Sequence, residues 1–582
     1  MTNRILKRAL SYMAAVALLL SAYGAIADGP INMTVSKSLA QTLDMLPANA
    51  RERTDTIIFG VTSLYGNLNP LFAETQGDTY AAGLMYDEWV FLDEYGKWGD
   101  GMTSVSVSPD GLTYAFSLKP ARYSDAALVS AEDCVNTLYL VTMPGFDGNR
   151  DLSMLSIQGL DEYIDGTADV VSGFQVLSNT SFSVTLTRPN ASAAALFTLP
   201  ALRVAHYGSM IRPDGMGAVP DASQSFYQER LAEVKAADAS LAAYGQYDLE
   251  SFEAGKHARF IANADYWRAK PSTEHIELTV VPVGEEYDAM LNGDIDIAFC
   301  YPSFDQIDRM FADGKGFVSM YEYEGDTFGY VGMDMDGPPF SDARVRQAFA
   351  HGLRRWSVEA ETLERFGSLP GMILFDSFGT ASDVLGELYP YNSDKSIELL
   401  DAAGWVSGED GRRAKDGQPF ELTFTAAQEN PIADSFIQEL QYYCSYAGIT
   451  LTVERVPLIT LIERVEAGEC DMYLMARKLP TSAAAAAGLF GGPSPLNVSG
   501  YDSDGLERFF MWAALEPTPE RQSMVYEGLF QQLYLELPMI PLYRRNDYLL
   551  VSARVRNTYI STGHDLIAEA YRMIVITQLE SE

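Results

Sequence analysis

The sequence predicts an α/β protein of two lobes, with the chain starting and finishing in the same one. Three observations lead there. The chain has 582 residues, more than one hydrophobic core usually supports. From about Ile276, strand and helix patterns alternate, which describes a mostly parallel sheet covered by helices. Before that point, and again from Tyr548, short strands and hairpins prevail.

The elements follow in order. Thr54–Val61 (TDTIIFGV) reads as the first strand, being β-branched, short and closed by a turn. Val105–Pro120 alternates apolar and polar residues on either side of Pro109-Asp110-Gly111, the chemistry of a hairpin turn. Ser130 caps a helix over SAEDCVNTLYLV, whose first-turn acids suit the helix dipole. Phe174–Pro189 is a second hairpin, turning at Ser178-Asn179. IELTVVPV is a strand, GEEYDAMLNG a helix ending on Gly293, and DIDIAFC the next strand. DARVRQAFAHGL and SDKSIELLDAAG are helical, the second capped by Ser393 and closed by Gly404. From FELTFTA to CDMYLMA the order is strand, helix, strand, helix, strand.

Acidic residues number 79 against 41 basic ones, a formal net charge of −38. Such a field repels phosphate backbones, so nucleic acid is not a partner to expect. It describes a self-repelling soluble surface or, as the alternative, a funnel for cationic ligands. The N-terminus is basic (NRILKR), and Ala9–Ala27 carries no charge and ends in Ala25-Ile26-Ala27. Residues 1–27 therefore read as a secretory signal cleaved after Ala27. Left uncleaved, the same run is long enough to anchor the chain in a bilayer. Either way the mature protein works outside the cytoplasm. Cys134, Cys300, Cys444 and Cys470 match no zinc spacing. Cys444 and Cys470 either pair or stay as buried thiols.

Catalysis finds no motif: there is no Gly-x-Ser-x-Gly elbow, His-Glu-x-x-His, phosphate loop or dinucleotide fingerprint. The five histidines are scattered without an i, i+4 pair, so neither a cofactor nor a protein-built metal site is expected. Asp294 and Asp296 lack the rest of a calcium loop and read as a turn into a strand. Arg344 and Arg346 read as a solvated helix face or, as alternatives, as partners of nearby acids or a contact with the translocator.

The order of several pieces carries a resemblance. GNLNPLF (66–72) precedes GLMYDEWV; SPDGLTYAFSL and YSDAALVSAEDCVNTL follow. Then come YGQYDLESFEAG with ANADYW, MLNGDIDIA, PFSDARVRQAFAHGL, YPYNSDKSIELLDAAGW and QQLYLELPMIPLY. Each is weak alone, but together they span Thr54 to Tyr548. The chain resembles the extracytoplasmic solute-binding proteins of peptide and nickel ABC importers. The resemblance implies a two-lobe periplasmic-binding-protein-like fold of the large type, with lobes joined by two crossover strands. Lobe one would hold residues 28–280 plus 541–582, with an extra β-rich subdomain at about 80–200, and lobe two 281–540. The crossings would fall near Val280-Val281 and Ile540-Pro541.

The function implied is a monomeric, non-enzymatic solute receptor. It would bind a peptide or another small organic solute in the interlobe cleft and deliver it to importer permease subunits in the membrane. The alternative is a secreted sensing or structural protein that keeps the fold without a transport role.

Site residues follow from the residues and the resemblance together. The loop Tyr65–Pro70 follows the first strand, and open α/β sheets bind ligands at carboxyl ends of strands, which points to Tyr65 and Asn69. Tyr86 of GLMYDEWV is a further candidate. In peptide-binding relatives the segment after the CDMYLMA strand carries an aromatic residue and then an acid that accepts the peptide's amino group. Here the pattern falls on MARKLPTS, with Met475 and Lys478 in those places. Met475, Arg477, Lys478 and Ser482 are thus expected along the cleft wall. A cation facing the cleft favours anionic solutes; cations facing solvent leave a more apolar pocket. Arg354 is a second departure, since relatives usually carry an acid there, and is expected to concern packing in lobe two.

Overall fold

The computed structural model describes residues 31–32 and 43–576 apart from short internal stretches and two longer ones, 356–388 (except Gly367–Ser368) and 479–502. The expected signal and Ser482 lie outside the described residues. Among those described, no helix is long and apolar enough to cross a membrane.

After a two-residue strand at Ile31–Asn32 and a short helix at Ala48–Glu52 come β1 (Thr56–Val61), buried along its whole length, and α1 (Gln76–Met85). Two hairpins follow, β2 (Thr103–Val107) with β3 (Thr113–Leu118) and β4 (Phe174–Ser178) with β5 (Ser181–Thr185), separated by α2 (Ala131–Val141). They form one four-stranded antiparallel sheet in the order β2-β3-β5-β4. At the first turn Asp110 Oδ1 accepts from Leu112 N at 3.1 Å, and Gly111 takes φ +71°. The second turn sits one residue later than expected, since Ser178 already pairs with Ser181. Ser130 caps α2 in a reciprocal box with Asp133. This small sheet is held by aromatic stacking: Phe116 and Phe182 lie 4.7 Å apart and nearly parallel, with Trp89 edge-on to both.

The main sheet takes β6 (Tyr247–Glu253), β7 (His257–Ala262), β8 (His275–Val280), β9 (Ile297–Cys300) and β10 (Val318–Met333). Helix α3 (Glu286–Asn292) precedes β9 and ends on Gly293, left-handed at φ +79°. Then come α4 (Ala343–Gly352), α5 (Ser393–Ala402), β11 (Glu421–Ala427), α6 (Pro431–Ala447), β12 (Thr450–Val456), α7 (Leu458–Glu466), β13 (Met472–Lys478), α8 (Asp504–Leu515), α9 (Pro519–Glu536) and β14 (Ile540–Ser552). The cap of α5 is Asn392 rather than Ser393; its side chain accepts from Lys395 N.

The sheet order is β12-β11-β13-β10-β14-β9-β1-β8-β7-β6. It is mixed, which corrects the mostly parallel expectation. Strands β8 and β9 flank β1 in parallel, and β11 lies parallel to β12 and β13. The two long strands β10 and β14 pair antiparallel with each other and with β13 and β9.

Those two strands carry the chain between two hydrophobic clusters. Phe328, Tyr330, Val331 and Met333 of β10, with Ile540, Leu542 and Tyr543 of β14, pack into the cluster that holds α4, α6 and β11. At their other ends Met320, Tyr548 and Leu550 pack with Ile58, Val281, Met290 and Ala298, while Leu549 and Val551 join the large first cluster. Val281, Tyr287 and Met290 pack with Ile58 of the first strand. On β14, Tyr543 packs in the second cluster and Tyr548 beside Ile58.

Several side chains depart from their expected roles. Arg346 is buried, not solvated, and donates to the carbonyls of Phe340 and Leu537, the latter just past the carboxyl end of α9. Arg344 does pair with an acid, Asp342. Arg354 grips Glu439 through both carboxylate oxygens and stacks over Tyr442 at 4.3 Å, a packing role on α6. All four cysteines are buried, and none is joined in a disulfide.

Candidate functional site

Strand directions locate the site. Val61 and Val280 end β1 and β8 side by side, and Cys300 ends β9 opposite Tyr548. In the other cluster Lys478 ends β13 opposite Thr327. The carboxyl ends of the parallel strands from both clusters thus converge on the short stretch of β10 and β14 that joins them. Loops leaving such ends are where open sheets gather ligand-binding groups.

On the first side the loop after β1 is fixed to α1. Tyr65 N and Gly66 N donate to Asp78 Oδ1 at 3.0 and 2.8 Å, and Thr62 N donates to Gln76 Oε1 at 3.0 Å. Gly66 takes φ +100°, and the Phe252 ring occupies the space where a Cβ would stand. This held backbone presents the Tyr65 ring 72% exposed. A large aromatic group is thus held out to solvent on a loop whose backbone is fixed.

Asn69 takes another part. It is 1% exposed, and its Oδ1 accepts from Leu71 N at 3.1 Å, so it shapes the loop from inside. Tyr86 sits inside the first cluster. It is buried, and its hydroxyl donates to the Ala239 carbonyl at 2.6 Å, with Tyr244 edge-on at 5.4 Å. Burial pushes its phenol well above the ordinary value. It is a core residue of the first cluster.

On the second side β13 is buried at Met472–Leu474 and opens at Met475–Arg477. Met475 pairs with Tyr330 and packs partly buried against the second cluster. The half-buried Arg477 pairs with Phe328 and stands 5.7 Å from the Tyr330 ring centroid, a cation–π distance. Burial raises the Tyr330 phenol while the Arg477 charge opposes it. Lys478 is the next strand position, opposite Thr327, and consecutive strand positions belong to alternate faces.

Between the two sides Glu322 Oε1 accepts from Asn546 Nδ2 at 2.7 Å and from the Tyr548 hydroxyl at 3.1 Å, tying β10 to β14 where they cross. Phe328, Tyr330, Glu322, Asn546 and Arg544 were missed from sequence. The signal lay in VSMYEYEGDTFGYVGM, sixteen residues with one pair of aromatic residues two places apart in each half, Tyr321 with Tyr323 and Phe328 with Tyr330.

Among the described residues, one group has metal-ligand geometry: Asp55, Glu274 and His275. It sits at the amino ends of β1 and β8, about 17 Å along the strands from the converging ends by strand rise. It takes no part in the junction.

Residues 97–485 match the family model described as bacterial extracellular solute-binding proteins, family 5 Middle. A Brucella ovis protein named as an ABC transporter peptide-binding protein is 22% identical over 86% of this chain and 88% of its own. Among solved structures, Brucella suis NikA in complex with Fe(III)-EDTA is similar at 18% identity and TM-score 0.67, covering 90% of this chain and 100% of that one. Bacillus subtilis AppA in complex with a nonapeptide gives 18% and 0.62, covering 90% and 99%. At these identities the likeness carries the fold, which is the expected two-lobe α/β one.

Proposed function

Because the chain belongs to the family 5 bacterial extracellular solute-binding proteins, we propose that it is the extracytoplasmic receptor of an ABC importer. It takes a peptide or another small organic solute between its two lobes and delivers it to the permease. The observation that carries this reading is the convergence of parallel-strand ends from two separate cores on one pair of crossing strands. A solute touching both lobes favours the closed arrangement over the open one, and a permease can read that difference.

We place lobe one before the middle of β10 and after the middle of β14, and lobe two between them. Tyr65 meets the solute from lobe one; Met475 and Arg477 meet it from lobe two. The relatives' names include peptide binding, a nonapeptide complex and a metal chelate complex, so these classes set the first probes. No step of this role requires a reaction; binding and release suffice.

Mass spectrometry on gently purified protein, under native and then denaturing conditions, is expected to reveal a co-purified small molecule. A thermal-shift panel of peptides, anionic solutes, sugars and nickel chelates follows. A solute at 100 times its Kd adds about 2.7 kcal/mol of stability, a shift that such melts resolve. Small-angle scattering should then show a smaller radius of gyration with the solute that raises the melting temperature. No bound mass and no shift from any class overturns the receptor reading.

A further inference from the structure

We propose that Arg477 and Arg544 form an anion clamp on either side of Phe328, so that the carried solute bears a carboxylate or similar anionic group. This rests on the receptor reading above and names the class of its solute.

The register carries the argument. Phe328 of β10 pairs with Arg477 of β13 on one side and with Arg544 of β14 on the other. Residues directly opposite in antiparallel strands share a face, so the three side chains stand in one row across three strands. Two neighbouring facts fit that assignment. Arg477 lies over Tyr330, whose ring is 5.5 Å from that of Phe328 two positions away on the same face. Tyr543, the neighbour of Arg544, covers Gly329 on the opposite face.

Strands lie about 4.8 Å apart, so the two arginine backbones are separated by roughly 10 Å, within reach of one shared ligand group by two long side chains. Phe328 is 1% exposed and forms an apolar floor between them. Both arginines are half-buried, which weakens screening by water. Each guanidinium has five donors, so one that holds a protein neighbour can still offer an edge.

The row lies at the mouth of the junction. Arg477 stands one residue from the carboxyl end of β13, and Arg544 is the first residue of β14 past the Tyr543 that packs into the second cluster. Two cations on one face stand out in a chain of net charge −38. Of the acids on these two strands whose side chains are described, Asp547 is three positions from Arg544, about 10 Å by strand rise and on the alternate face, and Glu322 lies six positions back along β10, its Oε1 engaged by Asn546 and Tyr548. Planar forks of this kind suit a carboxylate better than they suit an amine or a neutral sugar.

The test uses the full mature chain and matched probes: tetra-alanine, its C-terminal amide and glutarate, titrated by calorimetry into wild type, Arg477→Met, Arg544→Met and Arg477→Lys. Melting temperatures verify folding of each variant. The expected result is binding of at least one carboxylate probe, weakened roughly 10- to 100-fold by either methionine substitution. Arg477→Lys should recover part of that loss, and affinity for the free carboxylate should fall as salt rises. Should amide and acid bind alike, with folded arginine variants unchanged, the clamp is wrong and the receptor reading stands. If neither these probes nor the wider panel binds, both fall together.

Discussion

Arg554 and Asp296 form an ion pair 2.6 Å long in which neither side chain reaches solvent. Asp296 also accepts from Ile58 N at 2.9 Å and pairs with Arg53 at 3.1 Å, while Arg554 donates to the Thr56 carbonyl. One carboxylate thereby links the segment before β1, β1 itself, the approach to β9 and the chain after β14. Replacing it with Asn leaves two guanidinium groups short of a counter-charge, one of them wholly buried. Asp296→Asn is expected to cost about 3–5 kcal/mol, as broken buried pairs do. Urea unfolding followed by tryptophan fluorescence should show the lower midpoint; a change under about 1 kcal/mol would mean that the pair is dispensable.

Gly332 is where the Tyr473 ring lies against β10, in the space a Cβ would fill. Its φ is not in the left-handed region, so close approach and not backbone freedom requires glycine here. Gly332→Ala is expected to cost about 1–3 kcal/mol by overpacking. Gly337, with nothing within 4 Å of its missing Cβ, serves as the control: alanine there should change stability by less than about 0.5 kcal/mol. Equal melting-temperature losses at both positions would remove the packing explanation.

Much of this architecture was legible in local chemistry. Ser130 with Asp133, Asp110-Gly111 and Gly293 are caps and turns whose reasons lie within a few residues. The crossing point was not legible, because Val281 and Phe328 are told apart only by which distant residues they pack against. The same holds for Tyr86: its place in a helix-ending motif said nothing of the Ala239 carbonyl 153 residues away. Arg477 could be named from sequence, but its place in one row with Phe328 and Arg544 depends on how β10 registers with β13 on one side and β14 on the other.

Acid should weaken the start of α4 in a specific way. Asp342 Oδ1 accepts from Arg344 N and Nε, both at 3.0 Å, and Oδ2 accepts from Nη2 at 2.6 Å. These bonds hold its carboxyl below the ordinary value. A depressed folded pKa means that the unfolded chain takes up the proton first. The contribution is therefore complete above the unfolded value of about 3.9 and fades as pH falls through the lower folded one. Asp342→Asn keeps a capping oxygen but has no proton to gain, so its melting temperature should approach that of wild type as pH drops from about 5 to about 3. Asp342→Ala loses the cap as well, at about 1 kcal/mol. A wild-type advantage over Asp342→Asn that does not shrink in acid would refute the coupling.

Tyr65 and Tyr86 separate binding from folding. The Tyr65 ring is 72% exposed while its backbone is held by Asp78, so truncation removes contact surface without opening the core. Tyr65→Ala is expected to leave the melting temperature of the unliganded protein within about 1 °C of wild type, since exposed side chains away from packed features matter little to stability. It should weaken the solute found by the thermal-shift panel by about 1–3 kcal/mol, roughly 5- to 150-fold in Kd, as loss of an aromatic anchor does. Tyr86→Phe should do the reverse. It strands the Ala239 carbonyl in a buried place, at about 1–3 kcal/mol, and leaves Kd unchanged. Calorimetric titration and a melt on each variant decide the matter; a Tyr65→Ala protein that binds as wild type does would take this loop out of the site.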